Sequence, residues 1–277
     1  MLVQDVGHFD DLNAADAAIM ETFAVPRYLS IYGDLLLEML LVSEAANVAH
    51  LGCRTGYPDL ELFELVPRMS LTGVDASLPA LELARNKAHA RGDLAIEYLI
   101  TEEYPTGLDS GTFSHALCLH PILDVEGRSR VFQEMERVLY SGGQALIALP
   151  LRGSFQEIAD LMSEYALKND DAELQKALEA AQRTRPTIET LSDEMEAVGL
   201  FDVDVDLQPS QIEFESGRAL LEDPVSRLLI FPEIRTWLKV DDITQPLEYV
   251  AEAVDKYWSE DRMTLSLNVG CASARKR

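Results

Sequence analysis

HLGCRTGYPDLELFELVPRMSLTGVD, residues 50–75, is the stretch on which the fold turns. Its first two residues end a short apolar strand, Asn47–Leu51, and the chain then turns at Gly52. The pattern predicts a helix over 57–66 and a second strand, Ser70–Val74, that ends on Asp75. Glycine at a strand-to-helix turn lets a ligand approach the backbone closely, and an acid at the end of the next strand can accept hydrogen bonds from two ribose hydroxyls. A glycine-rich turn alone is weak evidence. Here it has a strand before it, a helix after it and an acid about 20 residues on, the context that gives such a turn meaning.

Working outward, apolar spacing predicts helices over 10–24 and 26–41, with Pro26 in a first turn, where proline is tolerated. Beyond Asp75, Ser77 reads as the N-cap of a helix running to about Arg91. Strands are expected at Leu94–Ile100 and Phe113–Leu119. A helix over Glu126–Leu139 is closed by Ser141-Gly142-Gly143, and a strand follows at Gln144–Pro150. Strands alternating with helices of 10–15 residues mean βαβ units and a parallel sheet, and the nearly continuous apolar character of the strands suits one covered on both faces. After Pro150 the pattern changes to two helices over 153–182, broken near Asn169-Asp170, and a helix over Pro186–Val198 stopped by Gly199. Phe201–Leu207 alternates Val203, Val205 and Leu207 with Asp202, Asp204 and Asp206, as a half-buried strand does. Short helices over 216–239, a helix over Gln245–Trp258 and a strand at Met263–Ala272 complete the chain.

Composition limits the function. The 277 residues suit one or two domains at a prior of roughly 150 residues each, and no linker divides them. The chain carries 23 basic and 48 acidic residues, a net charge of −25 spread over both halves. Such a surface repels phosphate backbones, which discounts nucleic acid and anionic membranes as partners. The longest apolar run, Leu35–Val42, is interrupted by Glu38, and the N-terminus lacks the order of a signal peptide, so a cytoplasmic location is expected. Cys53, Cys118 and Cys271 are widely spaced and read as small buried residues, and no metal-binding spacing is present.

The text HLGCRTGYPDLELFELVPRMSLTGVDASLPALELARNKA, then DSGTFSHALCLHPI, then VFQEMERVLYSGGQALIALP, resembles the class I S-adenosylmethionine-dependent methyltransferases segment by segment over about 45–150. TLSDEMEAVGLFDVDVDL and MTLSLNVGCASARKR look like that family's closing pair of antiparallel strands. The resemblance implies an α/β fold: a doubly wound, mostly parallel seven-stranded Rossmann-like sheet with an antiparallel last strand and added helices. It implies a single domain, 1–277: N-terminal helices that could form a lid (1–42), a cofactor-binding core (45–150), a helical cover with a late strand (151–260) and a closing strand (261–277). It is closest to the small-molecule branch, so a small-molecule substrate and S-adenosylmethionine are implied; a homodimer is compatible with it. Gly52, Cys53 and Gly56, with His50 beside them, would line the methionine part of the cofactor. Asp75 would hold the ribose, with Ala76 beside the adenine and Glu102 near its edge. Leu119 and His120 would border the sulfonium and the substrate, with His120 the candidate base.

The first motif is degenerate. The family usually has an acid where His50 stands and a glycine where Arg54 stands, and often acids at Thr101 and Ser114. A cation at Arg54 opposes a cationic cofactor if it points inward. Three readings follow: a small-molecule methyltransferase; a catalytically inactive methyltransferase-like protein for binding or assembly; and a pocket for another nucleotide-like ligand whose phosphate or carboxylate meets Arg54. Whether Arg54 points to solvent or fills the cleft separates the first two. Tyr28 and Tyr32, one helical turn apart, are expected to pack or to form a lid. Trp237, Tyr257 and Trp258 are expected in the core or around a substrate pocket.

Overall fold

The computed structural model describes residues 12–66, 68–240, 242–258 and 261–277. The N-terminal stretch read for a signal peptide, and the start of the helix expected at 10–24, lie outside the described residues.

Asn13 caps the first helix, its side chain accepting from the backbone N–H groups of Ala15 and Asp16. The two helices expected upstream are one continuous rod: α1 (Ala14–Ile19), a π-helical stretch (Met20–Leu29) and α2 (Ser30–Glu38). Pro26 sits inside the rod rather than at a start. Having no N–H, it cannot close an α-helical bond, and the wider π register absorbs the gap without breaking the helix. Met20, Ala24, Tyr28, Tyr32, Leu35 and Leu36 form the buried stripe of this rod.

β1 (Ala46–Leu51), α3 (Asp59–Leu65), β2 (Met69–Asp75), α4 (Leu78–Arg91), β3 (Ile96–Ile100), β4 (Phe113–Leu119), α5 (Val125–Val138) and β5 (Leu139–Pro150) follow as βαβ units. α6 (Gln156–Lys168), α7 (Ala172–Thr184) and α8 (Ile188–Ala197) lead to β6 (Leu200–Phe214). α9 (Gly217–Glu222), a second π-helical stretch (Ser226–Ile230), α10 (Phe231–Leu238) and α11 (Thr244–Tyr257) lead to β7 (Met263–Lys276). The sheet has seven strands in the order β3-β2-β1-β4-β5-β7-β6. β1 to β5 are parallel, and β7 runs antiparallel to β5 and β6. Every residue of β4 is buried, as its apolar run requires of a strand covered on both faces.

Two strands, β5 and β6, depart most from expectation. β5 begins at Leu139 and takes in Ser141-Gly142-Gly143, read from sequence as a helix stop. The pairing jumps from Phe113↔Leu139 to His115↔Gln144, a bulge in which Gly142 adopts φ +86°. β6 is also far longer than Phe201–Leu207, because β7 pairs with it from Leu200 to Phe214. β6 is an edge strand, so Pro209 is tolerated within it, and Asp202, Asp204 and Asp206 are exposed.

Buried Gln144 ties the N-terminal rod to the sheet. Its Nε2 donates to the Met39 carbonyl (2.9 Å) and to Ser273 Oγ (2.8 Å), and its Oε1 accepts from Leu41 N–H (2.9 Å). Gln144→Ala strands these partners and is expected to cost about 1–3 kcal/mol. Urea denaturation checks this, and a loss below ~0.5 kcal/mol, the range of an ordinary surface change, would count against it.

Candidate functional site

The strand order reverses between β1 and β4, and in open α/β sheets ligands bind outside the carboxyl ends of the strands at that point. Three non-glycine residues with left-handed backbone follow the carboxyl ends of β1, β4 and β5: Arg54 (φ +47°), His120 (φ +47°) and Phe155 (φ +60°). Each such residue costs of order 1–3 kcal/mol and persists only where its surroundings hold it.

The turn after β1 folds back on β2. The N–H groups of Gly52 and Cys53 both donate to the Val74 carbonyl, at 2.9 and 3.1 Å. Gly52 and Gly56 have φ of +67° and +77°. At Gly56 a Cβ would stand 2.7 Å from the Tyr98 hydroxyl, so glycine is required for space as well as conformation. Asp75 ends β2 and is buried, its carboxylate accepting from Arg54 N–H (2.8 Å) and Ser77 N–H (2.9 Å). Ala76 beside it is half-buried, and Glu102, just past β3, is exposed. Cys53 is buried, which pushes its thiol pKa well up, as expected of a small packing residue rather than a nucleophile.

Arg54 fills the crevice rather than pointing to solvent. Its side chain is buried and reaches across to β4, with Nη1 donating to the Leu119 carbonyl (3.0 Å) and Nη2 to the His120 carbonyl (2.8 Å). Beside it lies a small cavity of about 10 Å³ whose lining includes Val25, Leu29, Gly52, Cys53, Tyr57 and Leu119.

His50 does not reach this crevice unengaged. Its Nδ1 lies 2.6 Å from Asp59 Oδ1, and both side chains are fully buried. Asp59 Oδ2 also accepts from the Tyr98 hydroxyl at 2.8 Å. Asp59 stands in the first turn of α3, where the helix dipole favours an acid. The acid missing at position 50 has a counterpart nine residues on, facing inward beneath the glycine turn.

His120 sits in a buried polar cluster. Its Nε2 is 2.9 Å from the Tyr28 hydroxyl, which is 3.1 Å from the Tyr32 hydroxyl, and both rings pack edge-on against the imidazole. On the other side His120 Nε2 lies 3.5 Å from Glu233 Oε2 on α10. Arg185, just after α7, donates to Glu233 Oε1 (3.2 Å) and also to the Ser154 carbonyl. Burial, aided by Arg54, pulls the His120 pKa down to about 3, so the ring is neutral. Burial pushes the Glu233 carboxyl up to about 7 against the pull of Arg185. In this arrangement His120 is a weak base, and Glu233 has the better-matched affinity for a proton near neutrality.

Past this cluster, between α6, α7 and α10, is a partly open cavity of about 50 Å³. Its walls are mostly apolar, among them Phe155, Met162, Leu178 and Trp237, with Arg152 and Arg185 as its charged groups. Of the three aromatics read as pocket or core, Trp237 lines this cavity and is buried, Trp258 is half-buried and Tyr257 is exposed. Among the described residues no three His, Cys, Asp or Glu side chains are grouped to hold a metal ion, and no helix is long and apolar enough to cross a membrane.

Residues 49–147, the span that holds the glycine turn, Asp75 and the end of β4, match the family model described as a methyltransferase domain. Over those residues the chain is similar to a methyltransferase domain. Methyltransferase GfsG of Streptomyces halstedii is 26% identical over 133 residues, 47% of this chain, and the chain spans about half of that relative's length (48%). The fold is similar to that of the YcgJ protein of Bacillus subtilis, with a TM-score of 0.58 at 13% identity over 90% of this chain and 99% of that one. It is also similar to phosphoethanolamine N-methyltransferase 2 of Haemonchus contortus, solved with S-adenosylmethionine, with a TM-score of 0.54 at 15% identity over 94% of this chain and 60% of that one.

S-adenosylmethionine is the cofactor of this family, and the crevice meets it only in part. The glycine turn and Asp75 stand at the strand ends where the resemblance puts the methionine limb and the ribose. The position implied for the sulfonium, bordered by Leu119 and His120, is crossed by the Arg54 guanidinium. A second cation there adds repulsion to the loss of space, so the crevice does not take the cofactor in the arrangement described. Sequence reasoning singled out both ends of the Arg54 bridge. It missed Asp59, which lies inside the quoted stretch but reads as an ordinary helix start, and Arg185 and Glu233, which lie far along the chain from His120.

Proposed function

We propose that this chain is an S-adenosylmethionine-dependent methyltransferase acting on a small molecule with an apolar body and a polar end, in the cytoplasm and without a nucleic-acid partner. The observation that carries this reading is the apolar cavity under the helical cover, lined by Phe155, Met162, Leu178 and Trp237 with Arg152 and Arg185 as its charged groups, the composition of a small-molecule site. Its lining residue Arg185 leads through Glu233 to His120 at the end of β4, so acceptor and donor sites would share one buried polar partition. The Glu233–His120 pair stands where a proton released by the acceptor would need a home. A second reading, a methyltransferase-like protein that binds without transferring a methyl, is favoured by Arg54, which fills the cleft.

The test is a thermal-shift screen of small apolar acids, phenols and amines, followed by a labelled-methyl transfer assay on the binders. Binders are expected to lose their stabilisation in Ala181→Trp, which fills the cavity from α7, while the variant stays folded by circular dichroism. Binders that stabilise Ala181→Trp equally would remove this cavity as the acceptor site. Binding without any transfer would favour the second reading.

A further inference from the structure

We infer that Arg54 is an internal occupant of the cofactor crevice, whose side chain must leave the ends of β4 before S-adenosylmethionine can enter. The inference rests on the methyltransferase reading above and adds to it a gate built from a single residue.

The geometry is specific. Arg54 stands in the glycine turn, with a left-handed backbone that an arginine adopts only under constraint. Its own N–H donates to Asp75, the residue implied for the ribose. Its guanidinium then spans to β4 and places two N–H groups on the consecutive carbonyls of Leu119 and His120. Backbone and side chain of one residue thus engage both ends of the expected cofactor site. The occupant is also charged like the ligand it displaces: a guanidinium stands where the resemblance implies a sulfonium. Carbonyl oxygens that would face one cation are satisfied by another.

The occupant is tied to the rest of the cleft. The carbonyl that Arg54 holds belongs to His120, whose ring is held in turn by Tyr28 of the N-terminal rod and faces Glu233 of the helical cover. Withdrawal of Arg54 therefore frees the backbone carbonyl of a residue that the rod and the cover both touch. The cavity beside Arg54, with Val25, Leu29 and Tyr57 in its lining, lies next to the side chain that would have to move. Lysine would not substitute fully, since an ammonium lacks the planar fork that meets two carbonyls at once.

Calorimetric titration of S-adenosylmethionine and S-adenosylhomocysteine into the wild type, Arg54→Gly and Arg54→Ala tests the gate. Glycine suits the left-handed backbone, and alanine provides a second route if the turn loosens; circular dichroism confirms that each is folded. Both variants are expected to bind S-adenosylmethionine at least tenfold more tightly than the wild type. The gain should be smaller for S-adenosylhomocysteine, which lacks the sulfonium charge. Asp75→Ala in the Arg54→Gly background should abolish the gained binding, placing it in this crevice. Equal affinity in wild type and both variants would overturn the gate and leave the methyltransferase reading standing. No binding by any folded variant would overturn both.

Discussion

Asp59→Ala should lose about 3–5 kcal/mol of folding stability, among the largest effects of any single change near the site. The Asp59 carboxylate is wholly buried and takes His50 Nδ1 at 2.6 Å and the Tyr98 hydroxyl at 2.8 Å. Alanine leaves two buried polar groups without a partner, one from β1 and one from β3. It also removes the acid from the first turn of α3, just beyond the glycine turn. Asp59→Asn keeps the volume and one acceptor oxygen, and should recover part of the loss. The triple change Asp59→Ala, His50→Leu, Tyr98→Phe should recover more, because removing all the partners costs less than stranding two of them. Urea denaturation of the series is the measurement. A loss under ~1 kcal/mol in Asp59→Ala would mean that water or a shift of His50 replaces the carboxylate.

Glu233→Gln should change how stability depends on pH. The native Glu233 carboxyl releases its proton at about 7, against an ordinary value of 4.5. Between those values the folded protein holds a proton that the unfolded chain has lost. The stabilisation tied to this group is therefore complete below pH 4.5 and is lost as pH rises to 7. At roughly 1.4 kcal/mol per unit, the loss amounts to about 3 kcal/mol. His120 works in the opposite sense. Its native value of about 3 lies below the ordinary 6.5, so its contribution is present above 6.5 and lost as pH falls toward 3. Between 4.5 and 6.5 the two slopes oppose each other in the wild type. Glutamine removes one of them. The stability of Glu233→Gln relative to wild type should thus rise by about 3 kcal/mol from pH 4.5 to pH 8, on top of a constant offset from altered contacts with Arg185. A difference that stays flat across that range would show that Glu233 titrates normally and would weaken its role as a proton acceptor.

Both predictions concern side chains that no local pattern marks. Asp59 lies nine residues from His50 in a stretch that reads as an ordinary helix start. Glu233 follows Pro232 in a helix of the cover, 113 residues along the chain from His120. What joins them is the folding of α3 against β1 and of α10 over the end of β4, which hydropathy spacing does not encode. The strand boundaries erred for a similar reason. β6 is extended by its partner β7, and β5 by a bulge against β4, where pairing overrode the local stop signal of Ser141-Gly142-Gly143.

By itself the sequence determined the parallel core. Period-2 and 3.6-residue patterns, the glycine turn after β1 and the acid at the end of β2 are local properties, and they mark the turn after β1 as the candidate ligand site. The charge of −25 likewise belongs to composition alone. Only the tertiary structure decided which way Arg54 points. A positive φ and a long flexible side chain allow solvent or crevice equally. The two carbonyls at the end of β4 select the crevice, because they are buried acceptors brought there from 65 and 66 residues away along the chain.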